Sequence, residues 1–385
     1  MIVPYYPNPV MGGLEKQAHE LSRALTNDSI SVSAIGVRFE ETHSQNENVD
    51  GVDVVRLPWP SNRPLRFISS ALSLANAMFT RRYNYDVVHI HQQSWFGLFA
   101  VLFARLLRKS SLIKLPNVGN FGIPGMRNQR FGWLRIRLLK LADGIISMSE
   151  ESGRELASIG YSPARIFWST NGISVGERPD SCKRHHEKDE PVRVIFIGRL
   201  MEQKGVVPLL HAWKRVLNSV SVPCILELWG DGPLASEIRA VCDKLELSDH
   251  VVMKGHVTGV REKLGQADVF VLPSLNEGNS NALLEAMAAS LPFVATGVGG
   301  TPLLVGSEGE PWLCDPGDTE ALAQKLERLL DESALRKKLG LAMRLRIERY
   351  FDIRRVAASY TSAYRCLVEG RRDDLSACRD TWPTE

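Results

Sequence analysis

The chain has 385 residues, of which 44% are hydrophobic, 24% charged and 8% aromatic, with a formal net charge of +3. Such a length exceeds what one hydrophobic core usually serves, so two domains of roughly 150 to 200 residues are expected, and the composition excludes a disordered chain or a fibre. The longest apolar run, Trp95 to Ala104, is about half of the roughly 20 residues that span a bilayer, so no transmembrane helix is expected.

The start, Met1-Ile2-Val3-Pro4, shows no basic segment leading into an apolar stretch, and a cytoplasmic location is the expectation. Six cysteines are scattered without a Cys-x-x-Cys pair or a histidine at zinc spacing. They read as reduced packing residues, with no structural metal. Charge is uneven: residues 1–174 carry 19 Lys and Arg against 13 Asp and Glu, while residues 175–385 carry 28 against 31. Between Asp86 and Asp143 no acidic residue occurs.

In chain order, an amphipathic helix is predicted at about Gly13 to Leu25, strands at Ser31 to Gly36 and Val52 to Leu57, and a helix at Leu65 to Thr80. Asp86 to Ile90 reads as a buried strand, Phe96 to Leu107 as a helix, Ser111 to Leu115 and Ile145 to Ser149 as strands, and Ile166 to Ser169 closes the half. Residues 175–191 are polar, charged and without hydrophobic period, which marks a linker. The alternation restarts at Val192 to Gly198 and continues through Ile225 to Trp229, Val251 to Lys254, Val269 to Pro273 and Pro292 to Thr296. Short apolar strands alternating with helices mean βαβ units and parallel sheets. The fold class is therefore α/β, with two doubly wound domains whose ligand cleft lies at the carboxyl ends of the strands.

Neither a dinucleotide Gly-x-Gly-x-x-Gly nor a P-loop is present. The informative stretch runs from Leu272 to Ala288. There Ser280 or Asn281 can cap a helix and leave the amides of Ala282 and Leu283 free for an anion, with Glu277 before the helix and Glu285 within it. Taken alone, such a glutamate pair is usually solvated surface. A second cluster, Gly198-Arg199-Leu200-Met201-Glu202-Gln203-Lys204-Gly205, can bring two cations to a diphosphate at the same rim.

Gly12-Gly13-Leu14-Glu15, Asn171-Gly172-Ile173, Gly198-Arg199-Leu200 with Lys204-Gly205, Gly230-Asp231-Gly232-Pro233, Gly255-His256-Val257 and the Glu277 to Glu285 spacing follow one another in an order that resembles the retaining glycosyltransferases of family 4. The resemblance covers nearly the whole chain. It implies the GT-B fold, two Rossmann-like domains facing across a cleft. Residues 1–174 would be the acceptor-binding domain and 192–350 the nucleotide-sugar domain, with 351–385 a helix returning to the N-terminal domain and a tail. Arg199 and Lys204 would neutralise the donor diphosphate, helped by Gly13, Asn281, Ala282 and Leu283. Glu285 would take the ribose hydroxyls, the backbone of His256 and Val257 the base, and Glu277 the donor sugar.

The implied partners are a nucleotide-diphosphate sugar and a glycan or lipid-linked acceptor, with no cofactor and no metal; no nucleic-acid module is visible. The alternative is a non-catalytic nucleotide-sugar-binding or scaffold subunit of a membrane assembly line. Two departures stand out. The family's histidine after the strand at Ser111 to Leu115 is replaced by Pro116-Asn117, leaving Asn117 and His91 as candidate acceptor-side residues. The start also leaves little room for the usual first strand. Finally, aromatic, aliphatic and basic residues interleave over 127–140, as in a basic amphipathic helix on an anionic membrane, giving a peripheral location at the inner face.

Overall fold

The computed structural model describes residues 1–6, 12–28, 30–39, 43–60, 62–176, 190–378 and 382–383. It divides into two compact units: Met1–Ser174 with Phe351–Trp382, and Val175–Tyr350 with Pro383–Glu385. Most of the linker expected at 175–191 lies outside the described residues.

The first unit contains strands β1 (Ser33–Arg38), β2 (Asn46–Val49), β3 (Val52–Pro58), β4 (Val87–Ile90), β5 (Ser110–Lys114), β6 (Gly144–Ser147) and β7 (Ile166–Trp168). β1 pairs with β3 in parallel, β2 lines β3 antiparallel, and β4 to β7 form a parallel row in chain order. The place between β1 and β4 is not vacant, as the short start suggested. Ile2 bridges Ile35 on one side and Ile90 on the other. Its N–H donates to the His89 carbonyl at 2.7 Å, and the Val3 N–H donates to Ile35 at 3.0 Å. A segment this short, with Pro4 in it, carries no readable alternation. β2, Asn-Glu-Asn-Val, escaped for the same reason: it is a polar edge strand.

Successive strand residues face opposite sides, so the layer builds two cores. On one side Ile90, Ile113 and Ile145 pack with Leu74, Leu98 and Leu139 from the helices Arg63–Thr80, Trp95–Leu106 and Gly132–Leu139. On the other, Leu112, Ile146 and Phe167 pack with Leu21 and Leu25 of the helix Gly13–Asn27 and with Val356 and Tyr360 of the helix Ile353–Val368. This last helix buries Ile353, Val356, Ala357, Tyr360, Ala363 and Leu367 at helical spacing. Asp352 caps it through its carboxylate, a contribution of about 1 kcal/mol.

The basic amphipathic helix expected over 127–140 is broken. Ile123–Asn128 and Gly132–Leu139 are separate short helices, and Phe131 between them sits at φ 60°. A Cβ on Gly132 would run into the carbonyls of Met126 and Arg127, so the turn requires glycine there.

The second unit is a six-stranded parallel sheet of β8 (Val192–Ile197), β9 (Cys224–Trp229), β10 (Val251–Gly255), β11 (Val269–Leu272), β12 (Phe293–Thr296) and β13 (Leu313–Cys314), ordered β10-β9-β8-β11-β12-β13. Val194, Phe196, Leu226, Leu228, Phe270 and Val294 are fully buried in it. The order reverses between β8 and β11, and it is outside the carboxyl ends of strands at such a switch point that doubly wound sheets bind ligands.

Candidate active site

Both candidate loops leave the second unit's sheet at that reversal. The β8 loop carries Arg199 and a single turn, Glu202–Lys204, before the helix Val206–Ser219. The β11 loop carries Ser274 to Ser280 before the helix Asn281–Ala288. The Leu275 N–H donates to the Gln203 carbonyl at 2.8 Å, stitching the two loops together. Gly205, at φ 64°, lies so close to Pro273 that a Cβ would collide with the Pro273 carbonyl oxygen. Gly205→Ala is therefore expected to combine backbone strain, on the order of 1 to 3 kcal/mol, with a displaced β8 loop. A urea denaturation midpoint equal to wild type would sink that expectation.

The join places Lys204 Nζ 2.6 Å from Glu277 Oε2, with side chains only 18% and 12% exposed. Ser274 Oγ donates to the same oxygen at 3.0 Å. Glu277 Oε2 thus accepts from both Lys204 and Ser274, and Lys204 is held at the rim by its partner. Arg199 is exposed on the same loop. The adjoining rim is closed by backbone contacts: Gly198 N–H to Trp229 at 3.0 Å, Leu200 N–H to Asp231 at 3.0 Å and Gly230 N–H to Gly255 at 2.7 Å. Beyond Gly255, at φ 65°, His256 is exposed and Val257 half-buried.

Of the two expected cap candidates Ser280 takes the role, and its hydroxyl accepts the Leu283 N–H at 3.3 Å, against the expectation that this amide is free. The Leu283 amide is thereby engaged rather than free, because a serine at that position outcompetes solvent for it. Ala282 and Asn281 remain in the half-buried first turn. Glu285 is 7% exposed, one turn further on.

Of the residues assigned to the other unit, Gly13 opens the helix Gly13–Asn27, and Asn117 is half-buried in the loop after β5. His91 sits immediately past β4 and is 1% exposed. Its ring stacks on His89 at 4.1 Å between centroids. Burial, then the charges of nearby groups, holds both imidazoles well below the usual histidine range.

Sequence reading passed over Lys114. This last residue of β5 is 5% exposed and donates to Asn171 Oδ1 at 2.6 Å. Burial lowers its ammonium from 10.5 to about 7. In an unfolded chain the amine keeps its proton up to about 10.4. Between those values the unfolded state binds the extra proton, so folding stability rises with pH from 7 toward 10.5. The penalty is complete below pH 7. Lys114→Met is accordingly expected to stabilise the chain by on the order of a few kcal/mol at pH 6, the gain shrinking by pH 10. Urea melts at the two pH values check it.

Comparison with known proteins follows the same division. A family model described as "Glycosyltransferase Family 4" matches residues 11–177, and one described as "Glycosyl transferases group 1" matches residues 191–332. The chain is 26% identical to a glycogen synthase of Mycobacterium tuberculosis, over 95% of this chain and 94% of that one. Among solved structures, sucrose-phosphate synthase from Thermosynechococcus elongatus aligns with a TM-score of 0.79 at 20% identity, covering 96% of this chain and 98% of the other. HepE of Anabaena, in complex with UDP and glucose, aligns with a TM-score of 0.76 at 16% identity over 95% and 98%. Both likenesses carry the GT-B fold. With the two family models spanning most of the sequence and the switch-point loops built as described, the chain belongs to the family 4 glycosyltransferases.

Proposed function

We propose that this glycosyltransferase moves a sugar from a uridine-diphosphate sugar to a hydroxyl of a growing glycan or lipid-linked precursor, with retention of anomeric configuration and without a metal ion. The observation that carries the reading is the Lys204–Glu277 contact at the switch point, with Arg199 on the same loop. Breaking a sugar–phosphate bond puts negative charge on the departing diphosphate, and preorganised cations are the strongest way to stabilise it. Lys204 and Arg199 take that charge, and the first turn at Asn281 and Ala282 adds its helix dipole. Glu277 contacts donor-sugar hydroxyls, Glu285 the ribose, and the backbone at His256 and Val257 the base.

The uridine assignment draws on HepE, a structural neighbour in complex with UDP and glucose. Retention follows when the departing phosphate itself accepts the proton of the acceptor hydroxyl on the same face, which needs no enzymic nucleophile. Incubating the purified chain with labelled sugar nucleotides, with and without membrane extract and EDTA, tests all of this. A labelled product with the donor's anomeric configuration is expected, undiminished by EDTA. Inverted product, or strict metal dependence, overturns the corresponding part.

The acceptor-side unit also suits a peripheral membrane role. Phe67, Ile68 and Leu72 are exposed on the helix Arg63–Thr80, with Phe67 edge-on to Trp95, and Trp133 is exposed on the helix Gly132–Leu139. Arg127, Arg130, Arg137 and Lys140 are exposed near Trp133 in sequence, whereas Arg135 is half-buried and lies over the Trp95 ring. Each exposed cation is worth about 1 kcal/mol at an anionic surface and is screened by salt. The chain is expected to sediment with anionic liposomes at low salt and detach at high salt, and Arg127, Arg130 and Arg137 changed together to Gln should weaken it. A wild type left in the supernatant at low salt removes the membrane from the scheme.

A further inference from the structure

We infer that the first unit holds a subsite for an anionic, phosphoryl-type group of the acceptor, built by Lys114 and His91 at the carboxyl ends of β4 and β5. This rests on the transferase reading above and adds the acceptor's chemistry to it.

The register brings the pieces together. β4 and β5 run parallel with His89 opposite Leu112 and Ile90 opposite Ile113. One step further sets His91 beside Lys114, both on the side faced by the C-terminal helix, as Leu112 is. Asn171, just past β7, accepts from Lys114 Nζ. Both ring nitrogens of His91 and Nε2 of His89 have no hydrogen-bond partner. Buried polar groups are almost always paired, so three such atoms beside one buried cation describe a place made for a polar ligand.

The ligand's sign follows from what surrounds it. Among the described residues no carboxylate pairs with Lys114. The titratable groups that bear on it and on the two histidines are cationic or neutral. They are the amine of Met1, the imidazoles themselves, and Tyr360 and Tyr364 on the C-terminal helix, whose Tyr364 hydroxyl lies 2.7 Å from His89 Nδ1. A lone buried ammonium with donors beside it and no acid within reach is completed by an anion with several acceptor oxygens. The depressed ammonium of Lys114 and the neutral imidazoles then act as a sensor, since an arriving phosphoryl group favours their protonated forms and draws in protons from solvent. The same cation that costs the empty fold stability is retained for what it binds.

The test uses the full chain saturated with UDP, so that the diphosphate site of the second unit is filled. Inorganic phosphate, a hexose monophosphate and a short-chain prenyl phosphate are titrated calorimetrically in two buffers of different ionisation heat. Binding with net proton uptake is expected, weakening tenfold or more between pH 6.5 and 9. Lys114→Met should abolish the uptake and weaken binding at least tenfold, and Lys114→Arg should restore much of the affinity without the pH dependence. Tighter binding of the hexose phosphate identifies a soluble acceptor, tighter binding of the prenyl phosphate a lipid-linked one, and either supports the subsite. Absence of phosphate binding, or equal binding by folded Lys114→Met, overturns it. Failure of the wild type to bind UDP speaks against the donor reading alone, because the phosphate titration can be run without it.

Discussion

Lys204→Ala is expected to lower kcat/KM for the sugar nucleotide by about 10² to 10³, the loss of one charge-assisted contact to a leaving group, about 2.7 to 4 kcal/mol. The side chain is nearly buried, so the charge acts across little water, and its place beside Glu277 is fixed by a 2.6 Å contact and the Leu275 to Gln203 stitch. A purely structural salt bridge behaves differently. Removing one member of so little exposed a pair costs stability, on the order of 1 to 3 kcal/mol, and leaves chemistry intact. The decisive comparison sets the kinetic loss against the denaturation midpoint: a large drop in kcat/KM in protein that is still fully folded at the assay temperature places Lys204 on the departing diphosphate. Arg199→Ala should show a smaller loss in the same direction, because the exposed guanidinium works through more solvent. Wild-type turnover in both variants removes the diphosphate assignment.

The second unit was legible in the sequence because its central strands, β11 and β12 throughout and β8 and β9 for the most part, are buried and read as apolar runs, and because its loops must carry glycine. Gly198, Gly205 and Gly230 stand where one loop's backbone presses on another's, and Cβ atoms on Gly205 and Gly230 would strike the carbonyl oxygens of Pro273 and Gly198. Such close approach leaves a compositional mark at strand ends. The first unit was legible in its central strands and less so at its margins. Met1 to Pro4 pairs on both sides without any pattern of its own, since its register is set by neighbours far along the chain. The basic stretch kept the composition of an amphipathic helix, and only the crowding at Gly132 reveals that it turns instead. Lys114 was hidden for a different reason. A lysine ending a strand looks like a solvated charge, and its burial is decided by Asn171, 57 residues further on.

The two glutamates of the second unit separate two kinds of binding. Glu285 is buried within its helix before any donor arrives, so the contacts proposed for it with the ribose hydroxyls would be the same in the ground state and the transition state. Such uniform binding sets KM and leaves the chemical step alone. Glu285→Ala is therefore expected to raise the donor KM about tenfold or more with kcat nearly unchanged. Glu277 stands instead between Lys204 and Ser274, on the loop where the sugar–phosphate bond would lie. Removing its carboxylate frees Lys204 to wander from the departing diphosphate and loosens the sugar's orientation, and misplacement of the reacting groups is paid in kcat, on the order of 10². Steady-state kinetics on both alanine variants give the answer. The same split in both would mean that the carboxylates act as one electrostatic unit. An unchanged kcat at position 277 takes Glu277 out of the reaction and leaves it as the anchor of Lys204 alone, in which case Glu277→Gln, which keeps the shape and the Ser274 contact, should lower the activity no further than alanine does.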